Sequence, residues 1–148
     1  MTTLLAFLHH LSAFTLTAAL AVEFVLVRGE LTPWSARRIL AADAVVGASA
    51  GLLLLVGLAR VFFFEKGAAY YFANHAFLTK LTLFVAVALL SIVPTREFLS
   101  WRKGLARGQA PSVPEGRMQT VRTILHVELA ALVVILFCAA LMARGGWV

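Results

Sequence analysis

Four stretches of this chain stay apolar for about 20 residues each, the length of helix that crosses the roughly 30 Å hydrocarbon layer of a bilayer. They run from Leu4 to about Val27, from about Leu40 to Leu58, from about His75 to Val93 and from about Thr123 to Met142. Strands are excluded for such runs, because an open sheet edge in lipid leaves backbone N–H and C=O groups without partners. Composition agrees. Of 148 residues, 61% are hydrophobic and 14% charged, whereas a soluble domain is about half apolar and about a quarter charged. The expected fold is all-α: one transmembrane domain, residues 1–148, an integral membrane four-helix bundle.

Local chemistry sets the boundaries. Thr32-Pro33 has the form of an N-cap followed by proline at the first helical position, so the second helix is expected to start inside the loop. Pro94 marks an end or a kink of the third helix, Pro111, Pro114 and Gly116 punctuate the connection 94–122, and Gly145-Gly146 stops the fourth helix. Trp34 and Trp101 are expected at one membrane interface and Trp147 at the other, with Phe62, Phe63, Phe64, Tyr70, Tyr71 and Phe72 as an aromatic belt in the short loop between helices 2 and 3. No lysine or arginine precedes the first apolar run, so a cleaved signal peptide is not expected.

The formal net charge of +6 would raise nucleic acid as a partner for a soluble protein. Here the cations gather in the connections, where they set orientation and meet lipid headgroups. Arg28, Arg37, Arg38, Arg96, Arg102, Lys103, Arg107, Arg117 and Arg122 lie on one side, nine in all, against Arg60, Lys66 and Arg144 on the other. The positive-inside rule then puts both termini in the periplasm and the 94–122 connection in the cytoplasm of a bacterial inner membrane. The single cysteine, Cys138, sits in an apolar run and is read as a packing residue. Gly47-x-x-x-Gly51, flanked by Ala44, Ala48 and Ala50, permits close helix approach; packing inside the bundle is expected before a dimer face. Phosphate-loop, serine-elbow and zinc-helix motifs are absent, as are the broken half-helix pairs of secondary transporters.

Ionisable side chains at membrane depth are costly, on the order of 2.5–3.5 kcal/mol at the bilayer centre, so they carry the functional reading. Toward the periplasm lie His9, His10, His75, Lys80 and Arg60, with Glu65 as the one carboxylate at that level. Imidazoles and cations together suit an anion or a metal centre, and haem is both: a histidine binds its iron and lysine or arginine neutralises its propionates. The metal-ligand candidates are His9, His10 and His75; neighbours on a helix point about 100° apart, so one of His9 and His10 is structural. Toward the cytoplasm lie Glu23, Asp43, His126 and Glu128, with Arg28 and Arg122 nearby. Ion pairing among them is the favoured expectation, and a proton relay the sharper alternative.

Leu8-His9-His10, the segment Glu23 to Arg28 and Asn74-His75-x4-Lys80-Leu81 resemble a bacterial family of predicted membrane proteins of about this length whose function is unknown. His9 or His10 with Lys80-Leu81 is also similar to the HemJ-type protoporphyrinogen oxidases, four-helix membrane proteins that bind haem b. That family's helix-1 tryptophan and the Pro-Arg pair ending it are replaced here by Glu23-Phe24 and Arg28. The resemblance implies haem b and, if the chain is an enzyme, an oxidoreductase acting on a porphyrin-type substrate. The alternatives are a non-enzymatic subunit that meets a second copy or a membrane-complex partner, and, lowest, a proton-coupled carrier using Glu23, Asp43 and Glu128.

Overall fold

The computed structural model describes residues 2–64 and 67–144; Glu65, Lys66, Gly145, Gly146 and Trp147 lie outside the described residues. The elements are α1 (Thr2–Leu26), α2 (Pro33–Ala59, running on into a π-helical turn, Arg60–Phe64), α3 (Ala68–Phe72), α4 (His75–Leu90), α5 (Ile92–Ser100), α6 (Arg102–Ala106) and α7 (Glu115–Ala143). Among the described residues they form four membrane-length spans: Thr3–Leu26, Pro33–Phe64, His75–Ala106 and Glu115–Ala143. The four-helix expectation holds. Side chains pointing out of the bundle are large and apolar, as with Phe14 at 74% exposure, Leu55 at 68%, Val133 at 66% and Phe137 at 60%. Only lipid makes that surface favourable.

The helices are longer than hydropathy suggested. α2 starts at Pro33 because Thr32 and Ser35 close a capping box: Ser35 N–H donates to Thr32 Oγ1 at 3.1 Å and Thr32 N–H donates to Ser35 Oγ at 2.9 Å. Pro94 interrupts the third span without ending it. It cannot supply the N–H that Leu90 C=O would accept, yet Ser91 N–H donates to Val87 C=O at 2.9 Å and Thr95 N–H to Ser91 C=O at 3.1 Å, so the chain resumes as α5. α6 is closed by Gly108 at φ 72°, a left-handed position that glycine takes at little cost. The loop expected over 94–122 therefore shrinks to residues 107–114. Hydropathy marks where a helix leaves lipid, and these helices continue past that point.

α1 packs along α2 and α4 along α7, while α7 also touches α1 and α5 touches α2. Packing is densest in the half of the bundle holding Glu23, Asp43 and Glu128, called here the carboxylate half. Its core includes Val27, Ala36, Ile39, Phe98, Leu105, Met118, Val121 and Leu125. Trp101, expected at the interface, is buried in this core at 6% exposure and donates its indole N–H to Glu97 Oε1 at 3.0 Å. Trp34 does sit outside, under the Arg38 guanidinium. Gly47 and Gly51 face outward, with open space where a Cβ would be; they do not pack inside the bundle as their spacing suggested.

Candidate functional site

At the opposite end, the histidine half, the spans part around a cavity of about 270 Å³. Its walls are mostly aliphatic and aromatic, from α1, α2, α4 and α7, among them Leu53, Phe84 and Ile135. His9, His10, Arg60, Tyr71 and Lys80 supply the polar part. Asn74 caps α4 by accepting from Phe77 N–H at 3.1 Å, which fixes the helix start and with it the place of Lys80 one and a half turns on. The Lys80 ammonium lies 5.7 Å from the Phe77 ring centroid and within electrostatic reach of Arg60 and His9. No acidic side chain lines the cavity among the described residues. Such a pocket attracts negative charge on an otherwise apolar molecule.

The two adjacent histidines separate as helical geometry requires. His10 is exposed, and its Nδ1 lies 2.6 Å from Ala6 C=O, one turn back on its own helix. His9 turns inward against α2. Its Nδ1 is buried and, among the described residues, meets no hydrogen-bond partner. A Cβ at Gly57 would come within 3.3 Å of His9 Cε1, so glycine at that position makes the niche the imidazole occupies. The Nδ1–Cε1 edge of the ring lies against α2, since the same Cβ would come within 3.5 Å of Nδ1. His75 opens α4 from an exposed position and is not a wall of the cavity. The structure thus brings His9, His10, Arg60 and Lys80 to one cavity and leaves His75 outside it. Among the described residues no three histidine, cysteine or acidic side chains converge on a point that could hold a metal ion, so His9, His10 and His75 are not one ligand set. Cys138 is buried in α7.

In the carboxylate half the anticipated ion pairs do not form among the described residues. Arg28 stacks over the Phe24 ring at 4.1 Å. Arg122 donates to Val27 C=O at 3.1 Å and to Glu115 at 2.9 Å, and His126 is exposed against Phe24. Each guanidinium is held by groups nearer the aqueous end than the carboxylates it was expected to meet. Instead Ser91 Oγ donates to Glu128 Oε1 at 2.6 Å and Thr95 Oγ1 donates to Asp43 Oδ1 at 2.6 Å. Glu23, at 1% exposure, has a buried Oε2 with no partner among the described residues. The hydroxyl partners were missed from sequence because their alignment depends on the break at Ser91. Glu97 was missed too; it is buried and bound by Trp101 and by Arg117.

A family model described as "Predicted membrane protein (DUF2214)" matches residues 1–146, and the chain belongs to that family. Neither the curated proteins nor the solved structures contain a match to it.

Proposed function

We propose that this member of the DUF2214 family holds haem b in the histidine-half cavity and acts as a redox protein of the bacterial inner membrane, with that cavity toward the periplasm. The observation that carries the reading is the place of His9 in the wall of an apolar cavity whose other charged groups, Arg60 and Lys80, are cations. The residues fit the group. A single imidazole suffices as the proximal ligand of haem iron. Lys80 and Arg60 would face the propionates, with charge-assisted hydrogen bonds that are shorter and stronger than neutral ones. The apolar walls suit a porphyrin face. At about 270 Å³ the cavity is just under the usual lower bound of about 300 Å³ for ligand pockets, so a macrocycle extends beyond its mouth. Haem, when bound, supplies one-electron exchange. A porphyrinogen, an apolar ring edged with carboxylates, is the substrate class such a redox protein would serve.

The test is the absorption spectrum of the full chain purified in detergent from cells supplied with haem, recorded oxidised and then reduced. A Soret band that shifts on reduction is expected; its absence removes the reading.

The outward face of Gly47 and Gly51 favours a second reading, an accessory role through helix association with a second copy or another membrane subunit. The native chain is then expected to cross-link as an oligomer in membranes, and Gly51→Ile to abolish that species. A native chain that gives no cross-linked species, or a variant that cross-links as the native chain does, dismisses it.

A further inference from the structure

The carboxylate half contains a second constellation that the haem reading does not use. Glu23 from α1, Asp43 from α2 and Glu128 from α7 are buried at 1%, 8% and 1% exposure. All three are within electrostatic reach of one another. Among the described residues none of the three pairs with a lysine, arginine or histidine. The charged groups on the elements around them are engaged elsewhere: Arg28 on the Phe24 ring, Arg37 on Leu105 C=O, Arg38 on the Trp34 ring, Arg122 on Val27 C=O and Glu115, Arg117 on Glu97, with Arg96 and His126 exposed. Two hydroxyls, from Ser91 and Thr95, are the donors that reach the group. Glu23 Oε2 is fully enclosed and meets no donor among the described residues.

Three carboxylate ions in one enclosed zone repel each other and forgo their hydration, a cost of several kcal/mol per ion in real proteins. A cation must offset it. A metal ion needs convergent ligands, and no such group of three forms among the described residues. A proton needs only one oxygen at a time, and like-charged neighbours favour its uptake. Beside Glu128 and Ser91 lies a cavity of about 30 Å³, walled also by Phe84, and a water requires about 10–15 Å³ and polar partners. Phe84 stands between this small space and the histidine-half cavity, which it also lines.

We propose that Glu23, Asp43 and Glu128 form a proton-binding site inside the bundle, beside the small space that Glu128, Ser91 and Phe84 line. Glu23, whose Oε2 meets no donor among the described residues, takes the proton first, and Ser91 and Thr95 hold the other two carboxyl groups in place. The proposal does not depend on haem.

Infrared difference spectroscopy of the full chain in lipid tests it. At neutral pH the native protein is expected to show a protonated-carboxyl carbonyl band that shifts in deuterium oxide and fades as the pH is raised. Glu23→Gln should remove the larger part of that band, and Glu128→Gln should shift what remains. Both substitutions mimic the protonated side chain, so the fold should survive; if either variant fails to fold, the pH series on the native protein decides alone. A native protein with no such band at neutral pH overturns the proposal. So does a band that all of Glu23→Gln, Asp43→Asn and Glu128→Gln leave intact, or one abolished at fixed pH by sodium or calcium, which would identify a metal cation as the occupant. A haem spectrum, present or absent, changes none of these outcomes.

Discussion

His9→Ala protein, prepared with ample haem, is expected to show no Soret band above that of haem in detergent alone, while His10→Ala and His75→Ala keep the native spectrum. The contrast follows from where the three imidazoles lie. His10 Nδ1 meets Ala6 C=O at 2.6 Å on the exposed side of α1, and His75 is exposed at the start of α4, off the cavity wall. His9 alone of the three combines a place in the wall with a buried, unpartnered ring nitrogen. Removing it takes away no hydrogen bond, so the bundle should remain folded and the lost band would report the ligand rather than collapse. Gly57→Leu should give the same spectrum with His9 still present, since even a Cβ there would approach the ring to 3.3 Å. Lys80→Gln should keep the band but weaken affinity about 10- to 100-fold, the loss of one charge-assisted contact of about 1.5–3 kcal/mol. A His9→Ala protein with the native spectrum would assign the iron to another side chain and leave the proposed site without its ligand.

The span count and the four-helix class were legible in sequence because lipid imposes them: a helix must be apolar over about 20 residues or it does not cross. The grouping of His9, Arg60 and Lys80 was legible for the same reason, since topology alone puts the start of α1, the end of α2 and the start of α4 at one level. Depth along a helix is readable; direction around it is less so. Apolar residues encircle a lipid-facing helix and hide which side is inward. Hence Gly47 and Gly51 face out although their spacing suggested the interior, and His75 misses the cavity although its depth is right. The expected pairing of Arg28 and Arg122 with Glu23 or Asp43 failed on a related point. Arg122 reaches toward the aqueous end, as long cationic side chains do near a membrane boundary, and Arg28 lies back over the Phe24 ring of α1, which leaves the carboxylates to Ser91 and Thr95. That exchange depends on the break at Ser91 before Pro94, a distortion that a proline announces but whose consequences for register it does not specify.

Phe98→Ala is expected to destabilise the folded chain by about 3–5 kcal/mol, the range for deleting a fully buried aromatic ring. In a membrane bundle such a figure needs justification, because lipid tails are as apolar as the interior and burial alone gains little there. Phe98 is placed differently. The third span covers 32 residues, about 48 Å of helix against a hydrocarbon layer of roughly 30 Å, so part of it projects beyond the lipid. Exposed Arg96, Arg102 and Lys103 mark that projecting part. There, Phe98 at 0% exposure and Trp101 at 6% pack ring to ring, 5.0 Å between centroids, among Ala36, Ile39, Met118 and Val121. Water is the competing solvent at this level, and the hydrophobic effect acts as in a soluble core. Val133→Ala, at a lipid-facing position of 66% exposure, is the matched comparison and should change stability by no more than about 0.5 kcal/mol. Unfolding in mixed micelles of rising sodium dodecyl sulfate content, followed by circular dichroism, measures both. Equal effects from the two substitutions would mean that the projecting segment is not held by its core. The expected difference instead makes the aqueous cap the clamp that fixes α1, α2, α5 and α7 at one end, which leaves the spans free to part around a cavity at the other.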